Sequence, residues 1–296
     1  MTPLRLPAGM PPWLLAVAAM ASVQLGSALS VGLIGEVGTA GTAWLRLSMG
    51  AVIFLLIARP PLRSVRRADV PALVGLGVTT GLVTVGFLSA LERIPLGTAV
   101  AIEFLGPLSV AAIRSGNRRA LVWPALALVG VVLLTEPWHG EVDLLGIAFA
   151  ALAAVGWGVY IVLTQHVGDR FSGIGALSLT IPVAAATAAI VGIPQAIGHL
   201  DLGVLVTAAG LAVLLPVLPF ALEMLALRRM TPTAFGTLMA LEPAMGLVLG
   251  LIVLHQRPSV VQLAGILLVV LAGAAAQRGG RRALPEEQVL AAEHPG

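Results

Sequence analysis

The chain of 296 residues is 58% hydrophobic and only 10% charged, far from a soluble globular domain, in which about a quarter of residues are charged. It contains no cysteine, which excludes a disulfide framework and thiolate metal sites. All 17 cationic residues are arginine, and they stand in short segments between apolar runs rather than in one patch, so nucleic acid is not the expected partner.

Apolar runs long enough to cross a bilayer, about 20 residues each, recur along nearly the whole chain. They predict spans at 13–33, 40–58, 70–91, 96–113, 120–136, 144–165, 171–193, 203–227, 231–254 and 259–277. The first exceeds the apolar core of a signal peptide and nine more follow it, so it reads as a retained helix. On it, Gln24 and Ser27 lie three apart and share a polar face. Arg46, about a turn and a half into the second span, either reaches the interface or partners a glutamate or a substrate carboxylate. The pairs Gly77/Gly81 in the third span and Gly246/Gly250 in the ninth predict close helix packing.

The fourth span carries Glu103 one turn before Pro107, and the ninth carries Glu242 directly before Pro243. A proline inside a helix lacks an N–H and opposes the carbonyl four residues earlier, so bends are expected that free the carbonyls of Glu103 and Met239. In the sixth span Trp157 and Tyr160, the only tyrosine, share a face; they are either packed core or the wall of a solute pathway that satisfies their polar tips. Glu223, near the end of the eighth span, is expected to snorkel or pair with Arg228 or Arg229. The tail 278–296 reads as solvated and disordered.

With the N-terminus inside, 14 arginines fall in inner segments and only Arg93 and Arg257 in outer loops, so both termini are expected to be cytoplasmic. Trp13 and Trp123 then mark the inner interface and Trp44 and Trp138 the outer. Sliding the chain by 136 residues sets RIPLGTAVAIEFLGP (93–107) over RMTPTAFGTLMALEP (229–243), matching Arg93 with Arg229 and Pro107 with Pro243. The match divides the chain into halves of five spans, so the second half enters the membrane inverted. Loop charge swaps accordingly: four arginines follow the second span and none the seventh, whereas one follows the third and two the eighth. The expected fold is an all-α polytopic membrane protein of ten transmembrane helices in two inverted five-helix repeats, 1–136 and 144–277, with the tail 278–296 in the cytoplasm.

A charge at a helix centre costs about 2.5–3.5 kcal/mol even on insertion scales, so intramembrane acids normally face a bundle interior or a wet cavity. Glu103 and Glu242 are therefore candidate substrate contacts, with structural hydrogen bonding between helices as the alternative. Nothing points to catalysis: the histidines lie in loops, span ends or the tail, and no HExxH, phosphate-cradling GxxxxGK[ST] or paired intramembrane aspartate is present. No cofactor or metal is expected. A channel remains an alternative without a visible filter motif.

The ten-span plan, with PLGTAVAIEFLGPLSVA (95–111), LPFALEMLALRRMTPTAFGTLMALEPA (218–244) and LHQRPSVVQLAGILL (254–268), resembles the EamA-type drug/metabolite transporters, most nearly their threonine/homoserine-exporting branch and, in plan, the aromatic amino acid exporters. The resemblance covers the chain to about residue 277. It departs at His255-Gln256, where many relatives carry an acid, which puts proton linkage in doubt. It implies a bacterial inner-membrane carrier that exports amino acids and related metabolites by alternating access; the expected partners are its small-molecule substrate and membrane lipid, without nucleic acid, and a monomer is one open form. Multidrug efflux or channel-like facilitation is the alternative. The expected substrate contacts are Glu103, Glu242, Trp157, Tyr160, Gln24, Ser27 and Arg46, and the expected hinges are Gly106, Pro107 and Pro243.

Overall fold

In a computed structural model the described residues are 11–58, 65–114, 118–138, 142–168, 174–227, 229–230, 235 and 238–279. They are helical, with no strand among them. The helices are α1 (Pro12–Val37), α2 (Thr39–Ala58), α3 (Val70–Leu91), α4 (Leu96–Arg114), α5 (Val122–Thr135), α6 (Leu144–Gly168), α7 (Ile174–Ala196), α8 (Leu202–Leu227), α9 (Glu242–Val253) and α10 (Val260–Gly279). Eight, α1 to α8 counted with the short 3₁₀ turns before α3 and α5, are long and apolar enough to cross a membrane; α9 and α10 are shorter apolar helices. The tail 280–296 lies outside the described residues.

Two predicted spans differ in their interior. The eighth is not one helix: Leu202–Ala212 and Leu218–Leu227 flank an irregular turn, Val213–Val217, in which Leu215 is extended (φ −158°, ψ 110°). Pro216 supplies no N–H there, which removes a rung of the helical ladder. Ser22 Oγ of α1 donates to the carbonyl of Leu214 at 2.7 Å, satisfying a group the break exposes. In the ninth span, helix α9 starts at Glu242 after a turn closed by Leu241 N–H to Leu238 O, and Pro243 stands in its first turn. That position needs no N–H, so Pro243 begins a helix instead of bending one. Pro107 does lie inside α4.

Packing follows a regular scheme. α2 packs most extensively on α7, α5 on α10, and α4 on α6 and α9; α3 lies on α6 and α7, while α1 lies on α8 and α9 and α2 also touches α8. Small residues allow the closest approaches, as expected where apolar lipid gives helices no solvent-driven reason to associate. A Cβ at Gly77 or Gly81 of α3 would collide with the α7 carbonyls of Thr180 or Ala184, and Gly130 of α5 faces the Gly265 backbone of α10 reciprocally. Gly106 of α4 lies against the Ala154 carbonyl of α6 with no room for a side chain.

One end of the bundle, here called distal, is tied by side chains. Gln195 Oε1 at the end of α7 accepts from Ala40 N (2.9 Å) and Gly41 N (3.2 Å) at the start of α2. Gln256 Oε1 beyond α9 accepts from Leu96 N (3.2 Å) at the start of α4. Both satisfy helix N-terminal donors that have no intrahelical partner. Each amide sits over a glycine whose Cβ would obstruct it, Gly38 and Gly250 respectively, and Gly38 also has φ +76°, a left-handed conformation that favours glycine. Ser259 Oγ donates to Glu136 Oε1 (2.8 Å), Ser89 Oγ to Thr39 Oγ1 (3.4 Å), and Arg93 pairs with Asp143 at 3.4 Å on the same face. The Gly146 backbone N–H holds the Asp143 carboxyl below its ordinary range against desolvation, with the Arg93 guanidinium and the Leu145 N–H adding to it.

Candidate functional site

A cavity of about 340 Å³ occupies the interior between α1, α2, α3, α4, α6, α7, α8 and the start of α9. Its wall contains Gln24, Ser27, Arg46, Glu103, Trp157, Tyr160 and Glu242, which the sequence had singled out on five separate helices. The expected hinge residues Gly106, Pro107 and Pro243 do not line it.

Arg46 is 4% exposed. Its Nη1 donates to Ser30 Oγ at 3.2 Å, and Ser30 Oγ in turn donates to Gly26 O at 2.7 Å. Its charge acts on Glu103 of α4, so a guanidinium and a carboxylate face the same space from neighbouring walls. An arginine this buried is tolerated in a bundle only with such partners; it is a wall residue and does not snorkel to the interface. Position 103 maps under the 136-residue shift to Met239, which also lines the cavity, whereas Glu242 maps to Gly106. The two acids are thus not at equivalent positions.

Glu242 is 4% exposed and its Oε2 has no hydrogen-bond partner among the described residues; Gln24, 2% exposed, has an unpartnered Oε1. Both lie on α1–α9 packing, where a Cβ on Gly246 would come within 3.4 Å of Gln24 Oε1. The charges that act on Glu242 are the carboxylates of Glu223 and Glu103. Unmade acceptor bonds at buried sites cost about 1–3 kcal/mol each, so this corner is built to receive donors.

Glu223 corrects an expectation. It lines the cavity, and among the described residues it makes no ion pair with Arg229; Arg228 lies outside them. The spacing of Pro216, Pro219, Phe220 and Glu223 places them on one face of α8, a signal that distance from the helix end obscured. The threonines Thr80, Thr84 and Thr180 also line the wall. Hydroxyl rows of this kind are indistinguishable in sequence from the back-bonded threonines they also are, each Oγ1 donating to the carbonyl four residues earlier. Trp157, placed mid-span in the sequence, lines the cavity with Tyr160. No cluster of His, Cys, Asp or Glu able to hold a metal occurs among the described residues.

A polytopic helical bundle whose long spans enclose a cavity lined by charged and polar side chains has the build of a membrane carrier. The EamA-like transporter family model matches residues 144–275. Over 276 residues the chain is 34% identical to the threonine/homoserine exporter RhtA of Escherichia coli K12, covering 89% of this chain and 91% of that protein; the Salmonella typhimurium LT2 protein of the same name is 34% identical over 271 residues, covering 88% and 89%. A crystal structure at 20% identity superposes with a TM-score of 0.60 over 89% of this chain and 96% of the other. The chain belongs to the EamA-like transporter family.

Proposed function

We propose that the protein exports neutral amino acids across a bacterial inner membrane by alternating access, receiving the α-ammonium at Glu242 and Gln24 and the α-carboxylate at Arg46. The observation that carries this reading is the pair of buried, unpartnered acceptors, Gln24 Oε1 and Glu242 Oε2, in a cavity that also holds the Arg46 guanidinium. A zwitterion supplies an ammonium with three donors to the first corner and a carboxylate to the second. Trp157, Tyr160 and Ser27 contact the side chain, and Glu103 sets the position of Arg46. The RhtA relatives, named for threonine and homoserine export, direct the choice of substrate. The volume, about 340 Å³, lies at the small end of ligand pockets, ~300–1,000 Å³, which favours amino acids over bulky drugs.

The ten-helix inverted repeat belongs to the same proposal. Exchanging α1 with α6, α2 with α7, α3 with α8, α4 with α9 and α5 with α10 maps the α2–α7, α4–α9 and α5–α10 packings onto themselves. The same exchange turns α3–α6 into α1–α8, α3–α7 into α2–α8, and α4–α6 into α1–α9, all of which occur. The family match over 144–275 supports the second unit, 144–277, beside 1–136. The distal face carries the glutamine ties and is read as extracellular, with both termini cytoplasmic. Gly106, Pro107 and Pro243 serve as pivots, a monomer is the transporting unit, and no cofactor is needed.

Counterflow of labelled threonine and homoserine into preloaded proteoliposomes, with a panel of other amino acids as competitors and with or without a pH gradient, tests the reading. Saturable counterflow inhibited by free amino acids, and not by their N-acetyl or ester forms, is expected. Unsaturable flux without counterflow would mean a channel-like facilitator, and preferential inhibition by bulky cations a multidrug carrier.

A further inference from the structure

A second cleft, of about 560 Å³, lies between α4 and α6 on the outside of the bundle and shares no residue with the central cavity. Along α4 it runs from Ile102 to Ile113, and along α6 from Ala151 to Leu163. Its floor exists because Gly106 lets the α4 backbone rest on the Ala154 carbonyl, and its rim is apolar and open, with Ile113 71% and Val155 67% exposed. Ser109 is its one side chain with a hydroxyl.

The end of the cleft at Ile113 meets a cationic step. Arg114 closes α4, and Arg118 and Arg119 begin the following 3₁₀ turn, all three exposed. From Ile102 to Ile113 a helix rises ~16 Å, close to the depth of one leaflet, half of the ~30 Å hydrocarbon core. An apolar trough one leaflet deep, whose last α4 residue, Ile113, is followed directly by Arg114 and then by the turn that Arg118 opens, has the length and charge order of a single phospholipid, tail inward and head at the arginines. Basic sites of this kind between helices hold anionic head groups. We infer that the α4–α6 cleft binds one anionic phospholipid, its acyl chain along Gly106, Ser109 and Gly158 and its phosphate at Arg114 and Arg118. The site is independent of the transport reading, although a lipid there would lie against the Gly106 contact between α4 and α6.

The full-length protein, purified in detergent, is titrated with phosphatidylglycerol or with phosphatidylcholine of the same acyl composition, and bound lipid is counted by native mass spectrometry. A one-to-one phosphatidylglycerol adduct is expected, with phosphatidylcholine held far more weakly. Replacing both cations, Arg114→Gln with Arg118→Gln, weakens phosphatidylglycerol roughly 30-fold, the loss of two surface cations. Two groove-filling variants, Ser109→Phe and the lipid-facing Val155→Trp, each abolish the adduct while the protein elutes unchanged. Equal retention of the two lipids, or undiminished phosphatidylglycerol binding in the arginine and filling variants, would overturn the assignment. So would a dimer mass that Val155→Trp dissociates, because the cleft would then be covered by a second copy.

Discussion

Glu242→Gln separates a binding carboxylate from a structural one. Its buried Oε2 has no hydrogen-bond partner among the described residues, and the charges nearest in effect are other carboxylates, Glu223 and Glu103, so an amide of equal volume breaks no bond at that oxygen and removes an acid from a cluster of acids. The folded protein is expected to be as heat-resistant as wild type, or more so. Transport differs: a hydrogen bond to an ionised partner contributes about 1.5–3 kcal/mol, and with tenfold per ~1.4 kcal/mol the apparent affinity for threonine falls by roughly 10- to 150-fold. The assay is counterflow in proteoliposomes across a substrate range wide enough to separate half-saturation from maximal rate, beside thermal unfolding in detergent. A variant with unchanged half-saturation, or one that loses transport only because it no longer folds, would refute the reasoning.

Glu103→Gln should behave oppositely, since Glu103 is the acid whose charge interacts with the buried Arg46; a lower Tm in thermal melts, restored in part by the double change with Arg46→Gln, is expected. Ser22→Ala leaves the Leu214 carbonyl in the α8 break without its donor and should cost about 1–3 kcal/mol of stability in thermal melts. Gly106→Val forces side-chain atoms into the Ala154 carbonyl, and at least ~1–3 kcal/mol of overpacking should appear as poor yield of folded protein, with Gly106→Ala intermediate. Asp143 has a folded pKa held down by the Gly146 N–H and Arg93, so its stabilisation is complete above the unfolded carboxylate value and fades as pH falls through the folded one. Asp143→Asn should therefore flatten the acid limb of a Tm-against-pH curve and leave neutral-pH transport intact.

The helices were legible because crossing a bilayer needs long apolar runs with few charges, and α1 to α8 are such runs. The acids of the cavity wall were legible for a related reason: Glu103 and Glu242 are costly in lipid, so both were expected to face a bundle interior, whereas Arg46 could equally have reached the interface. Less visible was everything that depends on backbone detail. The sequence LLPVLP inside α8 is as apolar as its flanks, so hydropathy runs straight through a break that Pro216 and Ser22 define. Pro243 suits both a mid-helix bend and a first turn, and only the turn at Leu238–Leu241 decides between them. Glu223 was misplaced because a helix that is apolar on nearly all sides offers no stripe by which to fix its rotation.

The ties at the distal face bear on how the carrier answers acidity. Gln195 and Gln256 hold the first amides of α2 and α4 with side-chain carbonyls that neither gain nor lose a proton. An acid at position 256 would change both its charge and its grip on the Leu96 N–H with proton concentration. The amide keeps that latch indifferent to pH, so among the ties of this face a response to acidity falls to the carboxylates, Glu136 under Ser259 and Asp143 beside Arg93.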